Sequence, residues 1–190
     1  MGGQPKGLLD VPSEGPTLAR MARVSEQAGL HPVLAVVGYR AAEHRTRLGA
    51  LLLRWVEHPG WAGGRTSSVQ AGLRALGADP PDCVLWPVDA PFVRASTLQR
   101  LRALSETDPD PARWLVPVFQ GRRGHPVLLG PGAQHEVLGY PVDRPLSSYR
   151  TDHPESVREL LVDDPGVGDN LDSPEAFRGA LQRFQKERTD

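Results

Sequence analysis

The chain has 190 residues, with 22 Lys and Arg against 23 Asp and Glu and a formal net charge of −1 at pH 7. This length predicts one domain over residues 1–190 that buries about 70% of its unfolded surface without a disulfide or a metal. The balanced charge argues against a protein that coats nucleic acid, which would carry a basic surface. The single cysteine, Cys83, excludes an internal disulfide framework.

The sequence carries no recognisable targeting or membrane segment. The first ten residues, MGGQPKGLLD, lack the apolar stretch of a signal peptide. The longest nearly continuous apolar stretch, residues 33–37, is far shorter than the roughly 20 residues of a membrane helix. We therefore expect a cytoplasmic protein that has no membrane partner.

The spacing of apolar residues predicts helices and strands that alternate along the chain. Helices are expected over 17–29, 41–53 and 67–78, around 98–104 and 134–138, and from 173 onward. A polar helix or loop is expected around 145–150. Strands are expected over 33–37, 54–58, 83–88, 114–119, 126–129 and 156–162. This alternation, with short turns between the elements, predicts an α/β fold with a mostly parallel sheet.

The order of the first elements is unusual for an α/β fold. The first predicted element is a helix, with Thr17 as its N-cap and Gly29 just past its end. A glycine-containing loop with Lys6 precedes this helix. In a doubly wound fold such a loop follows the first, central strand. Because no residues are left for that strand, we expect a sheet that lacks it.

Two residues outside the predicted core could take part in chemistry. Lys6 lies in a loop before a helix, where a lysine suits a phosphate, although a lone lysine near a terminus is more often an ordinary solvated charge. Asp89 follows an apolar strand in WPVDAP, and the carboxyl ends of strands are where open α/β sheets bind ligands. A carboxylate there could hold Mg²⁺, or could instead stabilise the turn.

Five segments of the chain, in this order, resemble the MobA-like NTP transferases. They are GGQPKGLL at 2–9, GGRTSSVQAGL at 63–73, WPVDAP at 86–91, GRRGHPVL at 121–128 and DNLDSPE at 169–175. The resemblance is greatest to the branch of molybdenum cofactor nucleotidyltransferases that includes cytidylyltransferases. It implies a Rossmann-like three-layer α/β/α fold and an activity that depends on Mg²⁺. The implied reaction transfers NMP from CTP or GTP to a phosphate-bearing acceptor such as molybdopterin, and releases pyrophosphate.

The resemblance also implies roles for particular residues. Catalysis would depend on Lys6 and Asp89, and metal binding on Asp89, Asp172 and Asn170. The residues implied in nucleotide binding are Gly2, Gly3, Lys6, Ser67, Ser68 and Gly72. Those implied on the acceptor side are Arg122, Arg123, Gly124 and His125.

Structural alternatives remain open for several of these residues. Ser67 could cap a helix, and Gly72 could allow close helix packing. The pair Arg122 and Arg123 could be solvated in a turn. Asp172 could belong to a helix start, since DSPE places Pro174 at the first helical position.

The sequence departs from the family pattern at its beginning. Met1 and Gly2 match the last two residues of the family's first motif, so the first strand and most of the nucleotide loop are not in this sequence. Either the protein starts upstream and is a complete enzyme, or it is a non-catalytic nucleotide-binding or interaction module of the same fold. His58 stands where the family usually has asparagine, and Trp61 in the glycine-rich loop is a candidate to line a pocket. A monomer or a weak homo-oligomer is expected.

Overall fold

The computed structural model describes residues 4–51, 53–78 and 80–187. The helices of this part are α1 (Thr17–Gln27), α2 (Ala41–Leu48), α3 (Arg65–Leu76), α4 (Ala95–Thr107), α5 (Pro131–Leu138), α6 (Ser148–Asp152) and α7 (Pro174–Glu187). The strands are β1 (Asp10–Val11), β2 (Gly15–Pro16), β3 (Leu34–Val37), β4 (Arg54–Glu57), β5 (Cys83–Leu85), β6 (Trp114–Phe119), β7 (Arg122–Arg123), β8 (Val127–Leu129) and β9 (Val157–Leu161). None of the helices in these ranges is long and apolar enough to cross a membrane.

The largest sheet is built around β6, which pairs with β7, β8 and β9. The pair β6–β9 is parallel, while β8 lies between β5 and β6 and is antiparallel to both. The strands β5, β6 and β9 therefore run in one direction. A second parallel pair, β3–β4, forms a separate sheet, and β1–β2 is a short antiparallel hairpin.

Helices cover both faces of β5, and this confirms the α/β/α arrangement. Successive side chains of a strand point to opposite faces. Cys83 and Leu85 pack into the apolar cluster of α3 and α5, whereas Val84 packs into the clusters of α1 and α4. The strand thus lies between two layers of helices.

Helix α3 connects the two larger sheets. Its residues Val69 and Leu73 belong to the same apolar cluster as Leu85 of β5. Gly72 of α3 lies against β3, because a Cβ added at Gly72 would be only 3.0 Å from Cγ2 of Val36. The absence of a side chain there lets α3 pack closely on β3. Within the described residues, no strand pairs with the second edge of either β3 or β5. This agrees with the expected sheet without a first central strand.

Several details differ from the sequence predictions. A 3₁₀ turn at Lys6–Leu8 and the β1–β2 hairpin precede α1, so a helix is not the first element. Thr17 is the first residue of α1 rather than its N-cap, because its hydroxyl donates to the carbonyl of Lys6. Helix α2 ends at Leu48 instead of residue 53. The segment expected as a plain turn at 121–126 contains β7, which pairs with the end of β6.

Candidate functional site

Asp89 is held at the end of a short, rigid connection that follows β5. The indole N–H of Trp86 donates to the carbonyl of Ala90 over 2.7 Å, and Ala90 N–H donates to the carbonyl of Pro87 over 3.2 Å. These two bonds close the chain around Asp89, whose side chain is 14% exposed. A carboxylate fixed this way has little conformational freedom to lose when it binds a ligand.

The segment with Asp172 runs alongside Asp89 because of one backbone hydrogen bond. The N–H of Leu171 donates to the carbonyl of Asp89 over 3.0 Å. Leu171 is buried in a cluster with Val11 and Phe92, and this burial anchors the segment. The chain therefore brings two carboxylates together although Asp172 lies 83 positions after Asp89 along the sequence.

Lys6 lies between the two carboxylates. Its Nζ is 2.6 Å from Oδ1 of Asp172 and 3.8 Å from Oδ2 of Asp89. The hydroxyl of Thr17 holds the Lys6 backbone at the start of α1. The lysine side chain remains 24% exposed, so its ammonium group is accessible to an anion.

Arg65 is a second cation at this site, and sequence reasoning missed it. Its Nη2 lies 3.5 Å from Oδ2 of Asp89, and its side chain is 65% exposed. It is the first residue of α3, which has no side-chain cap and no acidic residue in its first turn. The signal was an arginine in the glycine-rich loop directly before a helix, since both a guanidinium and a helix N-terminus favour anions.

Asp172 is stabilised in its charged form. The hydrogen bond from Lys6 is the largest cause that lowers the pKa of Asp172, followed by a hydrogen bond from Asn170. The side-chain amide of Asn170 donates to Oδ2 of Asp172 over 2.6 Å. Asn170 thus contacts the expected metal-binding carboxylate.

His125 is a partly buried group near these charges. Burial lowers the pKa of His125, the negative charge of Asp89 opposes this shift, and the positive charges of Arg65 and Arg150 add to it. Its Nδ1 atom is buried without a hydrogen-bond partner. Its backbone N–H donates to the carbonyl of Val167 over 2.8 Å. The imidazole is therefore neutral at pH 7.

The lowered pKa of His125 predicts a loss of stability in acid. The unfolded chain takes up the proton first, near the ordinary pKa of about 6.5. The contribution is intact above that pH and is lost as the pH falls towards the folded-state pKa. We expect the free energy of unfolding, measured in urea at about pH 7.5 and 5.5, to fall less in His125→Asn than in the wild type.

The exposed His135 on α5 provides the matched control, because His135→Asn removes a solvent-exposed imidazole. His153 acts in the opposite direction, because a hydrogen bond with Glu136 raises its pKa and its contribution is lost as the pH rises. That contribution is common to all three proteins. Identical pH dependence in His125→Asn and the wild type would contradict the expectation.

The other residues expected on the acceptor side occupy an exposed hairpin. Arg122 and Arg123 form β7, and both are exposed. Nε of Arg123 is 2.6 Å from Oε1 of Glu159, so this guanidinium already has a carboxylate partner. Gly124 allows a close backbone contact, since a Cβ there would lie 2.0 Å from the carbonyl oxygen of Val167. The structure gives Gly124 this packing role.

The residues expected around the nucleotide are divided between packing and exposure. Ser67 is buried; its Oγ donates to the carbonyl of Gly64 over 2.8 Å and lies 3.0 Å from Nε2 of His58. Ser68 is one position further along α3 and is partly buried. Gly72 packs against β3 as described above. Gly2 and Gly3 lie outside the described residues.

The carboxylates of the site fit magnesium bound together with a nucleotide. Within residues 4–51, 53–78 and 80–187, no three His, Cys, Asp or Glu side chains are grouped closely enough to hold a metal ion. Asp89 and Asp172 form a pair around the same Nζ atom. Mg²⁺ is commonly held by one or two carboxylates together with substrate phosphates, so a pair of hard oxygen donors matches it.

Several solved structures have a similar fold. Rv0371c from Mycobacterium tuberculosis H37Rv is 23% identical, with a TM-score of 0.79 over 95% of this chain and 90% of that chain. A structure of Rv0371c in complex with manganese gives a TM-score of 0.75 at 23% identity, over 95% and 93% of the two chains. A nucleotidyl transferase from Methanothermobacter is 19% identical, with a TM-score of 0.79 over 96% and 86%.

Molybdopterin-guanine dinucleotide biosynthesis protein A from Archaeoglobus fulgidus is 20% identical, with a TM-score of 0.68 over 97% of this chain and 92% of that chain. These similarities show that the chain has a Rossmann-like fold. The family profile of the MobA-like NTP transferase domain matches residues 1–157, so the chain belongs to this family. No curated protein matches the sequence.

Proposed function

We propose that this protein is a Mg²⁺-dependent nucleotidyltransferase. It transfers the NMP group of CTP or GTP to a phosphate-bearing acceptor such as molybdopterin, and it releases pyrophosphate. The observation that carries the proposal is the convergence of Lys6, Arg65, Asp89 and Asp172 at the end of the β5 connection. Two accessible cations beside two carboxylates match the charges of a metal-bound triphosphate.

The charge of each side chain in this cluster would determine whether it binds phosphate or the metal ion. Lys6 and Arg65 would bind the phosphate oxygens, which suit an ammonium and a guanidinium group. Asp89 and Asp172 would hold Mg²⁺, which when bound neutralises phosphate charge and orients the triphosphate.

The transfer needs positioning rather than proton abstraction. An oxygen of the acceptor phosphate forms a bond to the α-phosphorus, and the bond from that phosphorus to the bridging oxygen of pyrophosphate breaks. The acceptor phosphate is already ionised at neutral pH, so no general base is required. Phosphoryl chemistry of this kind depends on placement and on neutralising charge. The neutral imidazole of His125 lies among the charges of the site without having to accept a proton.

Calorimetric titration tests nucleotide binding directly. We expect CTP or GTP to bind in the presence of Mg²⁺, and pyrophosphate to compete. Nucleotide binding without pyrophosphate release, with molybdopterin among the acceptors offered, would instead support a non-catalytic nucleotide-binding module. Absence of nucleotide binding at millimolar concentration would contradict both functions.

Replacing Lys6 by alanine should weaken binding of the nucleotide. A hydrogen bond to a charged group contributes about 1.5–3 kcal/mol, so we expect an affinity about 10- to 100-fold lower in the same titration. The matched control is Lys186→Ala, since Lys186 is exposed in the last turn of α7. Equal affinities of Lys6→Ala and Lys186→Ala for the nucleotide would remove Lys6 from the site.

A further inference from the structure

An exposed aromatic pair includes Trp61, which lies four positions before Arg65 of the charged cluster. The large exposed hydrophobics among the described residues are Tyr39, Trp61, Val142 and Leu161. The rings of Tyr39 and Trp61 meet edge to face, with their centroids 5.5 Å apart at an angle of 62°. The backbone of Val142 lies close to the same loop, since its carbonyl would be 3.8 Å from a Cβ at Gly64. Single exposed hydrophobics are ordinary, but a contiguous group indicates a binding surface.

The aromatic pair is held in place by the chain around it. Gly38 follows β3 directly, and a Cβ there would lie 2.3 Å from Cβ of Trp61. Only a glycine permits this approach, so Trp61 rests against the backbone at the end of β3. Despite that contact Trp61 remains 45% exposed and Tyr39 remains 50% exposed. The two rings are therefore fixed without being buried.

The loop that carries Trp61 is also fixed. The N–H of Trp61 donates to the carbonyl of His58 over 3.1 Å, and Nε2 of His58 lies 3.0 Å from Oγ of Ser67. The hydroxyl of Ser67 in turn donates to the carbonyl of Gly64. These contacts join the loop to the first turn of α3.

One of the two rings, Trp61, and one of the two cations, Arg65, lie on the same short segment. Trp61 precedes Arg65 by four positions, and the guanidinium of Arg65 contacts Asp89. A ligand with phosphates at Lys6 and Arg65 would extend its remaining part past the loop at 61–64. A planar heterocycle is the group that aromatic side chains hold most effectively there, since ring stacking is favourable for every base.

We propose that Tyr39 and Trp61 form the surface on which the heterocycle of a phosphate-bearing substrate stacks. The proposal rests on the proposed function, because it takes the charged cluster as the phosphate site. The heterocycle is either the base of the nucleoside triphosphate or the pterin of the acceptor. Both sources share the same chemistry, which is a planar ring attached to phosphate.

The test compares ligands that carry a ring with one that does not. Binding of CTP, GTP, a pterin phosphate and inorganic triphosphate is measured by calorimetry with Mg²⁺ in the wild type and in Trp61→Leu, Tyr39→Leu and Tyr39→Phe. Leu161→Ala is the matched control, because Leu161 is an exposed hydrophobic at the end of β9. Thermal unfolding checks that each variant is folded, and Tyr39→Leu provides the test if Trp61→Leu is not.

The expected pattern separates the ring from the phosphates. Trp61→Leu and Tyr39→Leu should bind a ring-bearing ligand about 10-fold or more weakly, while inorganic triphosphate binds as in the wild type. Leu161→Ala should bind every ligand like the wild type, and Tyr39→Phe, which keeps the ring, should bind ring-bearing ligands more tightly than Tyr39→Leu does. A loss of affinity for CTP or GTP assigns the surface to the nucleotide base. A loss of affinity for the pterin phosphate alone assigns it to the acceptor.

Equal affinities of the wild type, Trp61→Leu and Tyr39→Leu for all three ring-bearing ligands would overturn the proposal. The proposed function would survive that result, because the nucleotide would still bind with Mg²⁺. A wild type that binds neither nucleotides nor inorganic triphosphate would overturn the proposed function itself. The two failures are therefore distinguishable in one set of titrations.

Discussion

Asp89→Asn is expected to lower the rate of pyrophosphate release from the nucleotide by about 100-fold or more. A bound cation contributes several kcal/mol to the stabilisation of transition-state charge, and each 1.4 kcal/mol corresponds to a factor of ten. Asparagine keeps the shape of the side chain but removes the charge that would hold Mg²⁺. The measurement is the rate of pyrophosphate release with CTP or GTP and an acceptor.

The structure provides a control for this substitution. The hydrogen bond from Leu171 goes to the backbone carbonyl of Asp89, so the segment with Asp172 keeps its anchor in the variant. Asp152→Asn removes one carboxylate from α6, where Asp152 pairs with Arg144, and should leave the rate unchanged. An Asp89→Asn protein that retains more than half of the wild-type rate would contradict the metal-binding role of Asp89.

Gly124→Ala is expected to destabilise the protein by about 2–4 kcal/mol. The new Cβ would lie 2.0 Å from the carbonyl oxygen of Val167, which also accepts the N–H of His125. The backbone of one segment must move, and overpacking together with a weakened hydrogen bond costs this amount. Urea unfolding with matched m-values measures the change in free energy.

Gly168, which lies in the same 3₁₀ turn as Val167, is a matched control. It is exposed, and no atom lies within 4 Å of a Cβ added there. Gly168→Ala should therefore change the free energy of unfolding by no more than about 0.5 kcal/mol. Equal free energies of unfolding for the two alanine variants would show that the close contact between Gly124 and Val167 does not restrict the residue at position 124.

The core elements were predictable because their residue patterns are local. The strand at 114–119 was predicted with its observed bounds, since it is a continuous apolar run that is buried on both faces. The start of helix α1 was predicted to within one residue, because Thr17 is its first residue and not its N-cap. Gly29 lies just past the end of α1 with a φ of +71°, as a helix terminus favours. The predicted end of α2 was wrong, because apolar residues continue to residue 53 although the helix ends at Leu48.

The site was only partly predictable because distant segments form it. Asp89 and Lys6 drew attention through their local surroundings, and the structure places them 3.8 Å apart. Asp172 lies beside Lys6 because the neighbouring Leu171 is buried, and no local sequence pattern predicts that burial. No role was predicted for Arg65, which the fold places against Asp89. The contact between the ring of His58 and Ser67 is likewise a tertiary contact that the local sequence pattern does not predict.

The most direct test of nucleotidyl transfer follows each phosphorus atom of the nucleotide. CTP or GTP labelled at the α-phosphate, or separately at the γ-phosphate, is incubated with the protein, Mg²⁺ and molybdopterin. We expect the α label in the acceptor product and the γ label in free pyrophosphate. Transfer of the γ label to the acceptor, or its release as orthophosphate, would contradict nucleotidyl transfer at this site.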